Sequence, residues 1–427
     1  MLPERGSMEA GAGGGSRALR RETVQMHTSV SIRGSRWSIG IAALAAGVLL
    51  LGGCASVSSG DPSDAGDAAG AAITVERPAA PEGELPETLQ SQLQEALERV
   101  MTDYGVPGAA AGVWIPGEGS WTTASGLADI EGEVPVTTEM TWPIRSITKS
   151  YTVTLLLQLA DEGALSLDDP LDEYVDGVTN GDEITLLQLA NMSSGNADYV
   201  DEAFIVEFSK DPARVFTLDE LNSGVLGQPA RFAPGAEHVY TNANTNLIGA
   251  VIEKVTGREY AEVLQERILE PLGQSGTRYL LDGADWQAPH PVGYQPDPET
   301  GELIPQDENP SILGPAGALF STLDDGRVWA ETLGSGALLQ PETQTLRQSG
   351  HKVERPPYDL YAVGMGETDG WLGHNGEGVG FTAATFYNPS TGASIVVYMN
   401  ESNALDGSHP ADQAFRALAG VLAGAGG

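Results

Sequence analysis

The tetrapeptide Ser146-Ile147-Thr148-Lys149 follows Trp142-Pro143 and opens an apolar stretch at residues 151–162, which ends at Gly163. The stretch predicts a buried helix, and Ser146 and Lys149, three residues apart, would share one face of it. A serine hydroxyl is a weak nucleophile and needs a base beside it. We expect Lys149 to be that base, held neutral by burial or by a cationic neighbour. The helix N-terminus would offer N–H groups to an oxyanion.

A second match to the same spacing, Ser349-Gly350-His351-Lys352, shows how weak the pattern is by itself. It lies in a polar stretch that ends at Pro356, where the sequence predicts no helix to hold the two side chains together. The chain has only four lysines, so a lysine inside the first motif is more informative than a common residue would be. We therefore assign the nucleophile to Ser146 and treat Ser349 as a chance match.

Tyr240-Thr241-Asn242 is a second candidate for chemistry, because it lies between the turn Phe232-Ala233-Pro234-Gly235 and an apolar helix predicted at residues 241–256. The Tyr240 phenol could relay the proton of Ser146 to a leaving group, and the Asn242 amide could bind a substrate carbonyl. The alternative is that Thr241 or Asn242 only caps the helix.

His374-Asn375-Gly376 is a third candidate, within the glycine-rich residues 371–378. Glycine on a strand allows a substrate backbone to approach closely. His374 could supply a positive or hydrogen-donating group to a cleft. The alternative is a turn that carries a surface histidine. The following Gly376-Glu377-Gly378-Val379-Gly380 lacks the strand–helix setting of a dinucleotide-binding loop, and we reject that interpretation.

Patterns of apolar residues outside these motifs predict the fold. Helices are predicted at residues 86–104, 151–162, 186–191, 241–256, 260–270 and 411–422, and strands at 109–115, 120–127, 361–365, 380–387 and 393–399. Because strands lie at both ends of a helix-rich middle, we predict an α+β fold in which helices flank one antiparallel sheet. A helix-rich insertion would cover about residues 150–290 of a domain at 86–427, with the active site in the cleft between sheet and insertion.

In this order, the three motifs resemble those of the serine β-lactamase and D-alanyl-D-alanine carboxypeptidase superfamily, which are Ser-x-x-Lys, Tyr-x-Asn and Lys/His-x-Gly. The class C β-lactamase-like branch is the most similar. Other segments that resemble the family are residues 165–171, 184–189, 192–195, 271–273 and 317–322. The resemblance implies the β-lactamase/transpeptidase-like fold and covers the chain from about Pro86 onward.

The resemblance also implies a role for each matching residue. Ser146 would form an acyl-enzyme, and Lys149 and Tyr240 would share the proton transfers. Asn242 would orient the substrate, and the backbone N–H groups of Ser146 and Glu377 would form the oxyanion hole. His374 would line the cleft where class C enzymes carry Lys, with Gly376 beside it. No metal or cofactor is implied, and the scattered histidines show no His-Glu-x-x-His spacing.

The sequence departs from the family at one place that bears on the substrate. A related carboxypeptidase type has an Arg about a dozen residues before its His-x-Gly motif, which holds the terminal carboxylate of the substrate. Here the segment Gly364-Met365-Gly366-Glu367-Thr368 has no Arg, and Glu367 would repel a carboxylate. We therefore expect an ester- or amide-cleaving serine hydrolase for uncharged acyl groups.

Other functions stay open from the sequence. They are a D-alanyl-D-alanine carboxypeptidase acting on peptidoglycan-like stem peptides, a β-lactamase, and a non-catalytic, lipid-anchored binding protein on the same fold. The net charge of −37 argues against nucleic acid as a partner, because an acidic surface repels phosphates. The 41% of hydrophobic residues suits a globular protein. The sequence predicts no oligomeric state.

The first 85 residues predict export rather than catalysis. Arg33 and Arg36 precede an apolar run at residues 39–51, which is short for a membrane span and fits a signal peptide. Leu51-Gly52-Gly53-Cys54 resembles a bacterial lipobox, which implies cleavage before Cys54 and its acylation. We expect a leader at residues 1–53 that starts at Met1 or Met26, and a flexible Ala/Gly/Ser/Asp/Pro tether at 54–85. The alternatives are an uncleaved membrane anchor and simple secretion. With Cys54 acylated, the protein would be anchored to the outer face of the cytoplasmic membrane.

Overall fold

A large antiparallel sheet organises the computed structural model, which describes residues 75–353, 357–403 and 408–425. Within these residues the strands are β1 Gly108–Ile115, β2 Gly119–Asp129, β3 Val134–Pro135, β4 Trp142–Pro143, β5 Arg278–Tyr279, β6 Gly293–Pro296, β7 Leu303–Gln306, β8 Leu319–Ser321, β9 His351–Lys352, β10 Leu360–Tyr361, β11 Gly366–Thr368, β12 Trp371–Gly378, β13 Phe381–Tyr387 and β14 Ser394–Met399. Nine of them form the main sheet in the order β3-β2-β1-β14-β13-β12-β11-β10-β9. The N-terminal hairpin thus lies beside the last strand of the chain, and the predicted sheet from distant segments is confirmed.

Helices cover both faces of this sheet. The described residues form α1 Glu87–Tyr104, α2 Thr148–Asp161, α3 Leu186–Ala190, α4 Glu202–Phe208, α5 Leu218–Ser223, α6 Asn242–Thr256, α7 Tyr260–Leu264, α8 Leu323–Ser335, α9 Pro341–Arg347 and α10 Pro410–Ala425. A π-helical turn, Gln265–Leu269, extends α7. Helices α2 to α7 follow one another between β4 and β5, within the stretch predicted as a helix-rich insertion.

Alternation along β1 explains how one strand serves two cores. Ala111 and Val113 face a core that α1 and α10 complete, whereas Ala110 and Trp114 face the core shared with α2 and α8. Helix α1 buries residues about four apart and ends at Gly105, whose φ of +71° suits a left-handed C-cap. The nucleophile helix α2 is buried almost all round, as its uniformly apolar sequence predicts.

The strand predicted at residues 361–365 is wrong. The chain turns there, and two short strands, β10 and β11, pair with each other across the turn. Gly364 has a φ of +66°, and its N–H donates to the Ala190 carbonyl at the end of α3. Val363 likewise donates to the Arg347 carbonyl at the end of α9. The apolar pattern marked burial correctly, but these N–H groups bind helix ends instead of a neighbouring strand.

The predicted tether also needs correction, because residues 75–85 are attached to the folded domain. Arg77 forms ion pairs with Asp324 and Asp325, at 2.6 and 3.0 Å. Leu85 is buried, and its N–H donates to the Ser120 carbonyl. Charge pairing and one apolar anchor hold a segment whose composition alone suggested flexibility. The predicted leader and Cys54 lie outside the described residues.

Across residues 75–353, 357–403 and 408–425, no helix has both the length and the apolar character of a membrane span.

Candidate active site

The turn that carries Ser146 is held in a strained conformation. Residues Arg145–Ile147 form a 3₁₀ turn leading into α2, and Arg145 has a φ of +52°, which is unfavourable for a non-glycine residue. Its guanidinium donates two hydrogen bonds to Glu308, at 2.7 and 2.8 Å, and a third to the Val379 carbonyl at 2.6 Å. These nearly buried contacts of Arg145, called here the Arg145–Glu308 clamp, hold the turn in its strained conformation. They thereby fix the direction of the next side chain, Ser146.

Lys149 lies at hydrogen-bond distance from three oxygen atoms. Its Nζ is 2.9 Å from Ser146 Oγ, 2.7 Å from Asn242 Oδ1 and 2.8 Å from the Ala316 carbonyl. The amide and carbonyl oxygens can only accept, so they use the two hydrogens of a neutral amine. The remaining lone pair then faces the one neighbour that can donate, the Ser146 hydroxyl. The geometry suits a neutral lysine acting as a base.

Burial makes the neutral form of Lys149 accessible near neutral pH. The residue is 0% exposed, and desolvation lowers the pKa of its amine to about 7 from 10.5, against an opposing effect of Asp198. A lowered amine pKa means that the proton is lost as the pH rises through about 7. The sequence expectation named burial or a cationic neighbour as the cause, and burial is the cause here.

Tyr240 lies beside this pair as a neutral phenol. Its ring centroid is 4.9 Å from Lys149 Nζ, and 38% of the residue faces the open cavity. Surrounding protein nonetheless raises the pKa of the phenol well above its usual range by desolvation, and Tyr361 adds to the rise, whereas a hydrogen bond with Ser146 opposes it. Lys149 is therefore the residue suited to accept the Ser146 proton, and Tyr240 keeps a proton that it can donate.

Helix α6 presents Asn242 through its capped N-terminus. The Thr241 side chain accepts a hydrogen bond from the Ala243 N–H, and the Asn242 N–H donates to Asp198 Oδ2 at 2.9 Å. Thr241 thus has the capping role that the sequence left open, and Asn242 does not. Because Asn242 Oδ1 accepts from Lys149, its Nδ2 hydrogens are the ones left for a substrate carbonyl.

Strand β12 brings Glu377 to the nucleophile turn. The Asn375 N–H donates to the Tyr358 hydroxyl at 2.9 Å, so it points away from the ladder with β13. Backbone N–H groups two residues apart point to the same side, which places the Glu377 N–H on the same open edge. Ser146 lies in the first turn of its helix, where N–H groups have no partner inside the helix. The two N–H groups proposed for an oxyanion therefore belong to neighbouring segments.

Gly376 is required by the turn that carries Ser146. A Cβ at this position would overlap the Ile144 carbonyl oxygen and lie 2.9 Å from Arg145 Cβ. Close packing of β12 on residues 144–145 therefore brings the strand that carries Glu377 against the turn that carries Ser146. The approach of a substrate backbone to Gly376, expected from the sequence, stays a prediction.

His374 lies behind the cavity wall and is neutral. It is 1% exposed; its Nδ1 is 2.5 Å from the Asn375 carbonyl, and its Nε2 is 3.2 Å from the Tyr361 hydroxyl. Desolvation, partly offset by the Asn375 carbonyl, lowers the pKa of the imidazole to about 3. The expected positive, cleft-lining His374 is thus corrected. In the described residues it supports Tyr361, and Asn375 lines the cavity in its place.

A cavity of about 880 Å³ opens beside Ser146, within the usual size of small-ligand sites. The described residues that line it are Ser146, Glu237, His238, Val239, Tyr240, Lys352, Val353, Pro357, Tyr358, Tyr361, Asn375, Glu377 and His409. Three of them, Glu237, Glu377 and Lys352, have no ion-pair partner in the described part of the chain. Within the part of the chain that the structure describes, His, Cys, Asp and Glu side chains form no group of three or more that could hold a metal ion.

The family model described as Beta-lactamase matches residues 93–419. The chain belongs to the beta-lactamase family. Its predicted resemblance is thereby confirmed. Among curated relatives, the D-aminopeptidase of Brucella anthropi is 30% identical over 242 residues, which are 56% of this chain and 45% of that protein. The chain thus spans about half the length of the curated relatives it matches.

Similar solved structures confirm the predicted α+β fold with its antiparallel sheet and flanking helices. The D-stereospecific amidohydrolase from Streptomyces sp. has 28% identity and a TM-score of 0.68, over 77% of this chain and 98% of that chain. The octameric penicillin-binding protein homologue from Pyrococcus abyssi has 27% identity and a TM-score of 0.68, over 78% and 77%. The D-amino acid amidase from Ochrobactrum anthropi SV3, at 23% identity and a TM-score of 0.66, shows the shared fold.

Several residues of this beta-lactamase family site were missed from the sequence. Glu308 and Asp198 act on residues far away in the chain, and no local pattern marks either. Tyr358 and Tyr361 lie upstream of the third motif without a recognisable spacing. Lys352 had a signal, the second Ser-x-x-Lys match, which was set aside because no helix was predicted there. The structure agrees that no helix holds it, yet places Lys352 on the cavity wall.

Proposed function

We propose that the protein is a serine hydrolase that cleaves amide bonds of small substrates through an acyl-enzyme on Ser146. The observation that carries the proposal is the position of Lys149 Nζ, 2.9 Å from Ser146 Oγ with two acceptors on its other sides. Lys149 takes the hydroxyl proton as Ser146 attacks the carbonyl carbon. The Ser146 and Glu377 N–H groups stabilise the oxyanion, and Tyr240 donates a proton to the leaving nitrogen. Water then releases the acyl group by the reverse path.

We further propose that the acyl group carries a free amine, in place of the uncharged acyl group expected from the sequence. Glu377 is exposed and lines the cavity, and its carboxylate belongs to the same residue as the N–H assigned to the oxyanion hole. An α-ammonium lies only two bonds from the scissile carbonyl carbon, so it would come within reach of that carboxylate. The names of the relatives, a D-aminopeptidase and a D-stereospecific amidohydrolase, support an amino-acid amide or short peptide, with the D-configuration to be tested first.

The nucleophile is tested by covalent labelling. A fluorophosphonate probe should label the wild type on the peptide that contains Ser146 and leave Ser146→Ala unlabelled. Ser349→Ala, the matched variant of the second motif, should label like the wild type. Equal labelling of Ser146→Ala would refute the assignment. Turnover of a chromogenic amide by the wild type would exclude a non-catalytic binding protein on this fold.

The free amine is tested with paired substrates. D-Alanine p-nitroanilide should be cleaved with a higher kcat/KM than its N-acetylated form, by about tenfold for a charge-assisted contact. Glu377→Gln keeps the backbone N–H and should remove most of that preference, whereas the exposed Glu118→Gln should keep it. A preference for the acetylated substrate, or for a β-lactam or acylated stem peptide, would instead support the β-lactamase or carboxypeptidase alternative.

We also propose that the protein is exported and anchored to the outer face of the cytoplasmic membrane through a lipidated Cys54. The support is the Leu51-Gly52-Gly53-Cys54 motif behind a short apolar run. Mass spectrometry of protein extracted from membranes should find an acylated N-terminal Cys54. Recovery of Cys54→Ala and wild type in the same soluble fraction would contradict the anchor.

A further inference from the structure

Lys352 joins the catalytic cavity from the far edge of the main sheet. His351 and Lys352 form β9, which pairs with β10 through His351↔Tyr361 and Lys352↔Leu360. Lys352 is exposed and lines the same cavity as Ser146. It is also the one Lys or Arg among the cavity-lining residues described by the structure. A lysine that local sequence gave no reason to connect with Ser146 is therefore part of the same space.

A row of aromatic rings leads from the Ser146 side of the cavity to β9, the strand that carries Lys352. The Tyr240 and Tyr361 ring centroids are 5.6 Å apart, those of Tyr361 and His238 are 5.5 Å apart, and those of His238 and His351 are 5.5 Å apart. Lys352 is the next residue of β9 and lines the same cavity. Strand β9 lies three strands from β12, or about 14 Å at the usual strand spacing. An extended peptide advances roughly 3.3–3.6 Å per residue, so a chain of a few residues covers this distance.

We propose that Lys352 binds the terminal carboxylate of the leaving-group peptide, so that the preferred substrates are short peptides with a free C-terminus. This inference rests on the proposed amide hydrolysis at Ser146. The Arg expected on the strand before His374 is missing, and Glu367 on β11 occupies that region. Lys352 on β9, two strands from β11, supplies a cation on the same side of the sheet as Glu367. A carboxylate held there sits several residues beyond the scissile bond, away from Glu377.

Glu237, one of the two acidic residues on the cavity wall, affects how tightly Lys352 can bind a carboxylate. Glu237 is exposed, lines the same cavity, and precedes His238, whose ring faces that of His351. A carboxylate on Lys352 therefore feels repulsion from Glu237. Removing that charge should strengthen the preference for a free C-terminus, which gives the proposal a second test of opposite sign.

The experiment compares peptides that end in a carboxylate with the same peptides ending in an amide. The series is D-alanine followed by one to four glycines, and the measured quantity is the acid-to-amide ratio of kcat/KM. For the wild type we expect a ratio of about five at the best length, the upper range for a solvent-exposed ion pair, falling as salt is added. Lys352→Met should bring the ratio to about one, and Lys352→Glu below one. Glu237→Gln should raise it.

Lys254→Met is the matched control, because Lys254 is an exposed lysine on α6 that does not line the cavity; its ratio should stay at the wild-type value. A wild-type ratio of one at every length, or a ratio that Lys352→Met leaves unchanged, would overturn the role of Lys352 while amide turnover continued. Absence of turnover of every peptide, together with no labelling at Ser146, would instead overturn the proposed function.

Discussion

The pH dependence of acylation is the most direct test of Lys149 as the base. Only the neutral amine can accept the Ser146 proton, and burial lowers its pKa to about 7. The rate constant should therefore fall as the pH drops below 7 and level off above about pH 8. Between pH 7 and pH 5 the neutral fraction falls from about one half to about one hundredth, so acylation should slow roughly fiftyfold.

An unshifted lysine would behave differently. With the ordinary pKa of 10.5, the neutral fraction would increase about tenfold for each pH unit up to that value, and no plateau would appear at pH 8. The assay is kcat/KM for an ester without ionisable groups, since this parameter reports the free enzyme and the substrate then adds no titration. A rate that is constant down to pH 5, or that still rises tenfold per unit above pH 9, would refute the assignment.

Two variants identify the titrating group. Asp198 raises the pKa of Lys149, so Asp198→Asn should move the midpoint of the profile to lower pH. His238 also lines the cavity, and desolvation and His351 lower its pKa below 6.5. His238→Gln should keep the midpoint near 7 if Lys149 is responsible. A midpoint that disappears in His238→Gln would assign the titration to that histidine instead.

Three further predictions concern the scaffold of the site. Gly376→Ala should lose about 1–3 kcal/mol of stability, because the added methyl group overpacks the site. It should also slow acylation about a hundredfold, because the Glu377 N–H is displaced. Gly420→Ala, which has open space around its Cβ, should change neither stability nor acylation. Glu308→Gln should lower the unfolding free energy by about 3–5 kcal/mol, because it leaves the Arg145 charge buried without its partner. Glu207→Gln, which breaks an exposed ion pair with Lys210, should leave the unfolding free energy nearly unchanged. Denaturant titrations of the wild type and Lys149→Met at several pH values should show the wild type gaining, relative to the variant, up to about 1.4 kcal/mol of unfolding free energy per pH unit between pH 7 and 10.5, because in that range only the unfolded wild type binds the proton. A difference that does not change with pH would contradict the lowered pKa of Lys149.

The parts of this molecule that sequence could predict are those governed by short spacing. Ser146 and Lys149 are three residues apart across the start of α2, and the β1–β2 hairpin is set by its own turn. The Arg145–Glu308 clamp joins residues 163 positions apart, and neither partner has a pattern that names the other. Burial was also easier to predict than hydrogen-bond partners, because residues 361–365 are buried as expected but the N–H groups of Val363 and Gly364 bind helix ends. The position of Lys352 depends on strand order, which no local feature encodes.

Asp198 shows why the base cannot be understood from the Ser-x-x-Lys motif alone. Its carboxylate accepts the Asn242 N–H and so orients the amide whose Oδ1 binds Lys149. The same carboxylate raises the pKa of Lys149 against the larger effect of burial. One residue thus positions a partner of the amine and keeps the pKa close to neutrality. Desolvation alone would hold Lys149 neutral over a wider pH range but would also make it a weaker base, so the opposing charge retains the basicity that proton abstraction from Ser146 requires.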